Sequence, residues 1–460
     1  PFVFTPPPQE RTEPLSQRAL LVLMDGLGLE ASRSMPFLNE LRARGASLDC
    51  QAGLPSLSMP ARAVLMTGAW QEIHGQTTNY GARPLTVEHL FQLVRAGGGE
   101  TALAAGDKTQ ALFAPYVTRQ ALFDEPPETA PFEHYQAVLR RDLAASLDLL
   151  RTRPRLAQVE LNLVDEAGHG WGSGSPEYAR AAALVDDGLR AVAAAVDLER
   201  DTLLVTADHG HVPAGGHGGP EPDVMGVPLV LAGAGVRRGA TGACAQVDVA
   251  PTLAVLLGLP LPAASQGRPL LDALALDGEA RRRVLRNVVA QRHAFVTAYV
   301  ARVAALSETA APGDPAEAVA GGRAAAGDIE ASEGALQARA GAIAAREAGA
   351  RARFAQSEAR RRWLRAGLAA LLPLALLGAL VRFRVATRGE VGNAAAFALG
   401  GVALYHVLLP AFGLSYSLTA VNKDEWLEPF FMKDMALGAG VCAAAALALC
   451  VRARRRGAGP

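Results

Sequence analysis

Several things are scarce in this chain, and each scarcity narrows what the protein can be. Net charge is missing, because 45 Lys and Arg offset 45 Asp and Glu, so no basic field is there to recruit a nucleic acid. Lysine stands only at Lys108, Lys423 and Lys433; arginine supplies the other cations and alanine is abundant throughout, which reads as compositional bias. Cysteine is limited to Cys50, Cys244, Cys442 and Cys450, with no C-x-x-C spacing, which argues against a cysteine-ligated metal. Cys442 and Cys450 fall in an apolar run, whereas Cys50 and Cys244 are able to pair in an oxidising compartment, a question the sequence leaves open. The chain starts at Pro1, so an upstream leader or anchor is left open too.

What is present is enough for one large domain and something more: 460 residues, half of them hydrophobic. Residues 1–17 are rich in proline and charge and read as an extended lead-in. Three apolar runs then end in an acid: Ala19 to Met24 before Asp25, Val159 to Val164 before Asp165, and Leu203 to Ala207 before Asp208. The first of these is continuously apolar, as expected of a strand buried on both faces. Three carboxylates capping three such strands point to one edge of a parallel or mixed sheet, where open α/β folds build their sites.

The richest stretch is T-A-D-H-G-H-V-P-A-G-G-H-G-G, from Thr206 to Gly219. Asp208, His209 and His217 offer a carboxylate and two imidazoles among glycines that allow close approach of backbone and metal. A second cluster, D-E-A-G-H-G-W-G, places Asp165 and His169 four apart. With Asp25 the tally is three Asp and three His, a nitrogen and oxygen donor set for two metal ions that suits zinc. Between the first two Asp runs lies P-S-L-S-M-P-A-R-A-V-L-M-T-G at 55–68, followed by H-G-Q-T-T-N at 74–79. Ser58 precedes Pro60 and an apolar stretch of helical character; its hydroxyl either faces a ligand at the helix N-terminus or caps the helix.

In order and spacing, Asp25, Ser58, Asn79, D-x-x-x-H at 165–169, D-H-G at 208–210 and G-G-H-G-G at 215–219 resemble the alkaline phosphatase superfamily. The resemblance is nearest to its nucleotide pyrophosphatase/phosphodiesterase and glycolipid (GPI) ethanolamine-phosphate transferase branches. It spans roughly residues 18–272, and Q-V-D-V-A-P-T-L-A-V-L-L-G-L-P-L-P at 246–262 resembles the closing strand and helix of those branches. The resemblance implies that Asp25, Asp208 and His209 hold one zinc together with Ser58, and that Asp165, His169 and His217 hold the other. Ser58 is then the nucleophile, activated by metal coordination. Asn79, with the backbone N–H of Ser58, then donates to the phosphoryl oxygen that gathers charge.

Two departures shape the reading. Phosphodiesterase members commonly carry Thr where this chain has Ser58, and S-M-P-A-R at 58–62 also fits the S-x-P-x-R pattern that sulfatases of the same superfamily use for formylglycine. Sulfatases resemble one another in carrying paired Asp at the first strand and one calcium, whereas Asp25 is followed here by Gly26 and the remaining ligands include His169 and His217. Histidine is a poor ligand for calcium and a good one for zinc. His211 reads as a support to the metal site, His74 as part of the H-G turn, and His89 and His134 as surface residues. Lys108 is a solvated lysine or a contact for an anionic substrate.

Beyond Ala273 the composition turns to Ala, Arg and Glu with helical periodicity. Residues 277–307 and 315–363, separated by A-P-G-D-P, read as two helices of a hairpin or stalk. Apolar segments follow at 366–381, 394–414 and 435–451 and read as membrane spans, the first extended by Leu364 and a snorkelling Arg365. Arg382, Arg384 and Arg388 then share a side with Arg452, Arg454, Arg455 and Arg456, which the positive-inside rule makes cytoplasmic.

The expected protein is therefore a lead-in (1–17), an alkaline-phosphatase-like α/β catalytic domain with a central sheet flanked by helices (18–273), a helical hairpin or stalk (274–363), three transmembrane helices (364–451) and a basic tail (452–460). Its expected chemistry is that of a membrane-anchored, extracytoplasmic two-zinc phosphodiesterase or phosphatase, other divalent metals being possible. The substrate expected is a phosphate ester or a phospholipid-type molecule. A phosphoethanolamine-type lipid transferase, a sulfatase-like hydrolase with a modified Ser58, and an inactive membrane adaptor are the alternatives.

Overall fold

The computed structural model describes residues 6–124, 126–127, 130–307, 331–382, 388–408, 419, 432 and 435–441. They divide into two units, Pro1–Ala348 and Gly349–Pro460.

The first unit is built on one sheet of eight strands: β1 (Ala19–Met24), β2 (Ala46–Gln51), β3 (Thr101–Gly106), β4 (Arg119–Phe123), β5 (Leu156–Leu161), β6 (Thr202–Thr206), β7 (Gly226–Gly233) and β8 (Thr241–Ala245). Their order is β4-β3-β5-β1-β6-β7-β2-β8. The five strands from β4 to β6 are parallel, β7 runs against β6 and β2, and β8 is parallel to β2. This is an α/β architecture with a central sheet flanked by helices, as the sequence leads one to expect.

Every residue of β1, β5 and β6 is buried, because helices cover both faces of the parallel part. The three Asp-bearing runs occupy neighbouring strands in level register, Met24 opposite Leu161 and Leu23 opposite Thr206. One boundary differs from the sequence expectation. β5 is Leu156–Leu161, not Val159–Val164, and it carries the buried polar residues Gln158 and Glu160. Asp165 consequently lies in the first turn of the helix Leu163–Trp171, where an i,i+4 spacing puts it on the same face as His169.

Cys50 and Cys244 are paired residues of β2 and β8 and form a disulfide, which settles the pairing that the sequence left open. The helix Gly278–Ser307 places Val284, Leu285, Val288 and Val289 in the same hydrophobic core as the sheet. The first helix of segment 274–363 is thus packed on the α/β body, and its Arg292 pairs with Glu347, both buried.

The helix Glu333–Arg382 includes segment 366–381, and the helix Arg388–Leu408 includes the first part of segment 394–414. Most of segment 435–451 lies outside the described residues. Among the described residues no helix is long and apolar enough to cross a membrane.

Candidate active site

The polar residues that follow β1, β5 and β6 converge at one end of the sheet. Asp25, Asp208 and His209 form one group whose ligand-type atoms all lie within 4.8 Å of one another, and Asp165, His169, His211 and His217 form a second. These are the two triads expected from the sequence, with His211 added to the second.

Ser58 is the first residue of the helix Ser58–Thr67, and Leu57 rather than Ser58 occupies the N-cap. The capping role is therefore not what its hydroxyl does. Ser58 Oγ instead lies 3.1 Å from His209 Nε2. Asn79 stands beside it, its Oδ1 accepting the Met59 N–H at 3.0 Å. With that oxygen committed, what Asn79 has left to offer is its amide NH2.

The surroundings decide which histidine nitrogens carry lone pairs. A carbonyl only accepts, so His217 donates Nδ1–H to Ser56 O at 3.0 Å and His209 donates Nδ1–H to Gly210 O at 3.3 Å. Each then keeps a lone pair on Nε2. His217 Nε2 faces His169 Nε2 at 3.2 Å, and His209 Nε2 faces Asp25 Oδ1 at 3.6 Å and Asp208 Oδ2 at 3.8 Å. Burial pushes the His209 imidazole down to about 4 and His217 well below its ordinary range, so both are neutral donors at physiological pH. Burial, with Asp25 alongside, pushes the Asp208 carboxyl up. Asp165 goes the other way: burial opposes its charge, but His169 and His211 hold it well below the usual carboxylate range.

The donor set fits divalent metal. Asp25 Oδ1 and Asp208 Oδ2 are buried and accept no hydrogen bond; the Arg62 guanidinium lies 3.7 Å from Asp208 Oδ2, and Asp25 Oδ1 is left for a further cation to meet. Asp208 is aimed by its other oxygen, which accepts the N–H of Gly26 at 3.1 Å and of His209 at 3.0 Å.

Arg62 was legible in the sequence only as the last letter of S-M-P-A-R. It is buried and binds Asp25 Oδ2 at 2.5 Å and Glu160 Oε1 at 2.9 Å, with Asp208 Oδ2 at 3.7 Å. Burial alone would lower its basicity, but Asp25, Glu160 and Asp208 outweigh that and keep it charged. Gln158 and Thr109 donate to Glu160. Gln246, in the closing Q-V-D-V motif, donates to the carbonyls of Ala207 and Asp208 and so holds the D-H-G backbone.

A cavity of about 190 Å³ opens beside Ser58, and Asn79, Lys108, Asn162, Asp165 and His169 are among its lining. Lys108, half-buried, lines this cavity. His89 is likewise not at the surface: it is 1 % exposed, packed edge-on against Phe113 and Tyr116.

Fold and site together define an α/β protein with two adjoining groups of metal-ligand type beside a serine. Residues 19–219, which hold all of these ligand-type side chains, match the type I phosphodiesterase / nucleotide pyrophosphatase family. The chain is 26 % identical over 294 residues to the human GPI ethanolamine phosphate transferase 2 catalytic subunit, covering 59 % of this chain and 29 % of that protein. It is 30 % identical over 220 residues to a 2,3-bisphosphoglycerate-independent phosphoglycerate mutase of Dinoroseobacter shibae, covering 46 % of this chain and 40 % of the mutase. It therefore spans well under half the length of these relatives. Among solved structures, human ectonucleotide pyrophosphatase / phosphodiesterase 5 aligns at TM-score 0.47 and 15 % identity, over 56 % of this chain and 100 % of that one. These relatives are by name enzymes that hydrolyse or transfer phosphoryl groups.

Proposed function

We propose that the chain is a two-zinc phosphodiesterase or phosphatase that works through a covalent phospho-Ser58 intermediate. The observation that carries this reading is the placement of Ser58 Oγ 3.1 Å from His209 Nε2, beside a group whose carboxylates include two buried oxygens that accept no hydrogen bond. Asp25, Asp208 and His209, with Ser58, would hold one ion, and Asp165, His169 and His217 the other. Ions held there supply Lewis-acid polarisation of the phosphoryl oxygen and favour the serine alkoxide at neutral pH.

Ser58 gives its hydroxyl proton to solvent and its Oγ attacks phosphorus in line with the bond to the leaving group; that bond breaks and the leaving oxygen takes a proton from solvent. The Asn79 amide donates to the phosphoryl oxygen that gains charge, which lowers the barrier without reorganisation. In the second step water attacks the phospho-serine and gives a proton to solvent, the bond to Oγ breaks, and Oγ takes up a proton. An acceptor alcohol in place of water makes the same site a transferase. That second reading, a phosphoethanolamine-type lipid transferase, is favoured by the likeness to GPI ethanolamine phosphate transferases.

We further propose that residues 364–451 anchor the protein in a membrane by three spans, with the catalytic unit outside the cytoplasm. Support comes from the second unit, where Trp363, Leu399, Val402 and Val407 are large apolar side chains left exposed, and from the arginine asymmetry of its flanks. With that orientation, protease added to intact cells or spheroplasts releases the catalytic unit and spares a tag placed after Pro460; the opposite pattern would reverse it.

The deciding assay is turnover of phosphate monoesters, phosphodiesters and aryl sulfate by the purified chain, with and without chelator. Chelator-sensitive turnover of phosphate esters supports the reading. Turnover of aryl sulfate alone, or none at all in a zinc-loaded protein, would contradict it.

A further inference from the structure

The D-H-G-H stretch contains one imidazole that the ligand assignment leaves over. His211 is 1 % exposed and lies in one group with Asp165, His169 and His217, so proximity alone does not separate it from the ligands. Its two nitrogens do. Nδ1 accepts the backbone N–H of Gly216 at 3.3 Å, and a ring nitrogen that accepts carries no proton. The proton of the neutral ring is then on Nε2, which lies 2.8 Å from Asp165 Oδ1 and donates to it. A nitrogen engaged in that way has no lone pair for a metal. His217 is the contrast, since it spends Nδ1–H on Ser56 O and keeps a lone pair on Nε2.

The surrounding chain is fitted to this contact. A Cβ on Gly168, in the same helix as Asp165, would lie 2.4 Å from His211 Cδ2. Glycine at that position is what lets the ring reach the carboxylate.

We propose that His211 is a positioning residue for Asp165 and not a metal ligand: its Nε2–H holds Oδ1 and leaves Oδ2, 3.4 Å from His169 Nε2, to face the ion. The inference rests on the two-metal reading above. Partners of this kind fix the orientation of a ligand, and losing one typically weakens metal binding about 10–100-fold.

The test is cobalt(II) and zinc titration of the full chain against a competing chelator, with the cobalt absorption bands recorded for wild type, His211→Leu, His211→Gln and His217→Ala. His211→Leu is expected to bind both ions at saturation with an unchanged cobalt spectrum, but one of them about 10–100-fold more weakly. His211→Gln, whose amide donates from nearly the position of Nε2, is expected to recover most of that loss, whereas His217→Ala loses an ion outright. Should His211→Leu fail to fold, His211→Gln against His211→Asn decides, because Asn places its amide near Nδ1 and gives no rescue. Loss of one ion at every concentration in His211→Leu would make His211 a ligand, and unchanged affinity would make it inert; either overturns the proposal. A wild-type chain that binds neither ion would instead overturn the two-metal reading beneath it, and this inference with it.

Discussion

The imidazoles of His209 and His217 lie stacked, with 3.7 Å between ring centroids and 9° between planes, although each belongs to a different group of ligand-type residues. The loop between them allows this through Gly215 and Gly216, whose φ values of 91° and 102° are open to glycine and rarely to other residues. The two groups therefore share a wall, and Ser58 reaches it from the N-terminus of its helix.

Replacing the serine separates chemistry from structure. Ser58→Ala is expected to lower phosphodiester turnover by several orders of magnitude, as loss of a nucleophile normally does, while zinc content and thermal unfolding stay near those of wild type. Initial rates and elemental analysis check it; activity within about tenfold of wild type would remove the covalent step.

Asp165 and His217 are far apart in sequence, one in a helix after β5 and the other in the loop after β6. Asp165→Ala and His217→Ala should nevertheless share a phenotype, each lowering bound zinc from about two ions per chain toward one. A variant of either kind that keeps full metal content would break the grouping.

Much of this site was legible because its chemistry is carried by short motifs at strand ends. Asp25, Asp208, His209 and His217 stand where the apolar runs and glycines place them. The supports were harder to read. Arg62 and Glu160 meet through a helix and a strand almost a hundred positions apart, and only an acid inside the buried L-A-Q-V-E-L of β5 hints at a buried partner. His89, expected at the surface, is buried for a reason that also lies elsewhere in the sequence. A histidine between Glu88 and Leu90 has no local signature of burial, and its aromatic surroundings come from Phe113 and Tyr116.

Arg62 offers a stability prediction. Arg62→Met leaves Asp25, Glu160 and Asp208 buried without their cation, and breaking such a set costs about 3–5 kcal/mol. Denaturant unfolding in the presence of chelator should show that loss, and added zinc should restore part of it by binding the folded state. Equal stability of variant and wild type in chelator would mean that Arg62 is not the counterion of this network.

Burial pushes the imidazoles of His74 and His89 from the ordinary 6.5 down to about 4. Above about pH 6.5 each is neutral in both folded and unfolded chains and costs nothing. Between about 6.5 and 4 the unfolded chain takes up a proton that the folded chain refuses, so stability falls as pH falls across that window. Each contributes a loss on the order of 3 kcal/mol by pH 4. His89→Asn keeps an acceptor for the Gln92 N–H that His89 Nδ1 now caps at 3.4 Å and removes the titration. Its unfolding free energy should therefore fall less steeply from pH 7 to pH 5, by about one proton in the slope; an identical slope would show that His89 is not the titrating group.

The central claim is that the phosphoryl group passes through Ser58 on its way to water or an alcohol. The stereochemical course at phosphorus tests it most directly, using a chiral phosphorothioate diester cleaved in heavy-oxygen water. Two in-line displacements, one onto Ser58 and one off it, predict net retention of configuration. Net inversion would mean a single direct attack by water and would contradict the account.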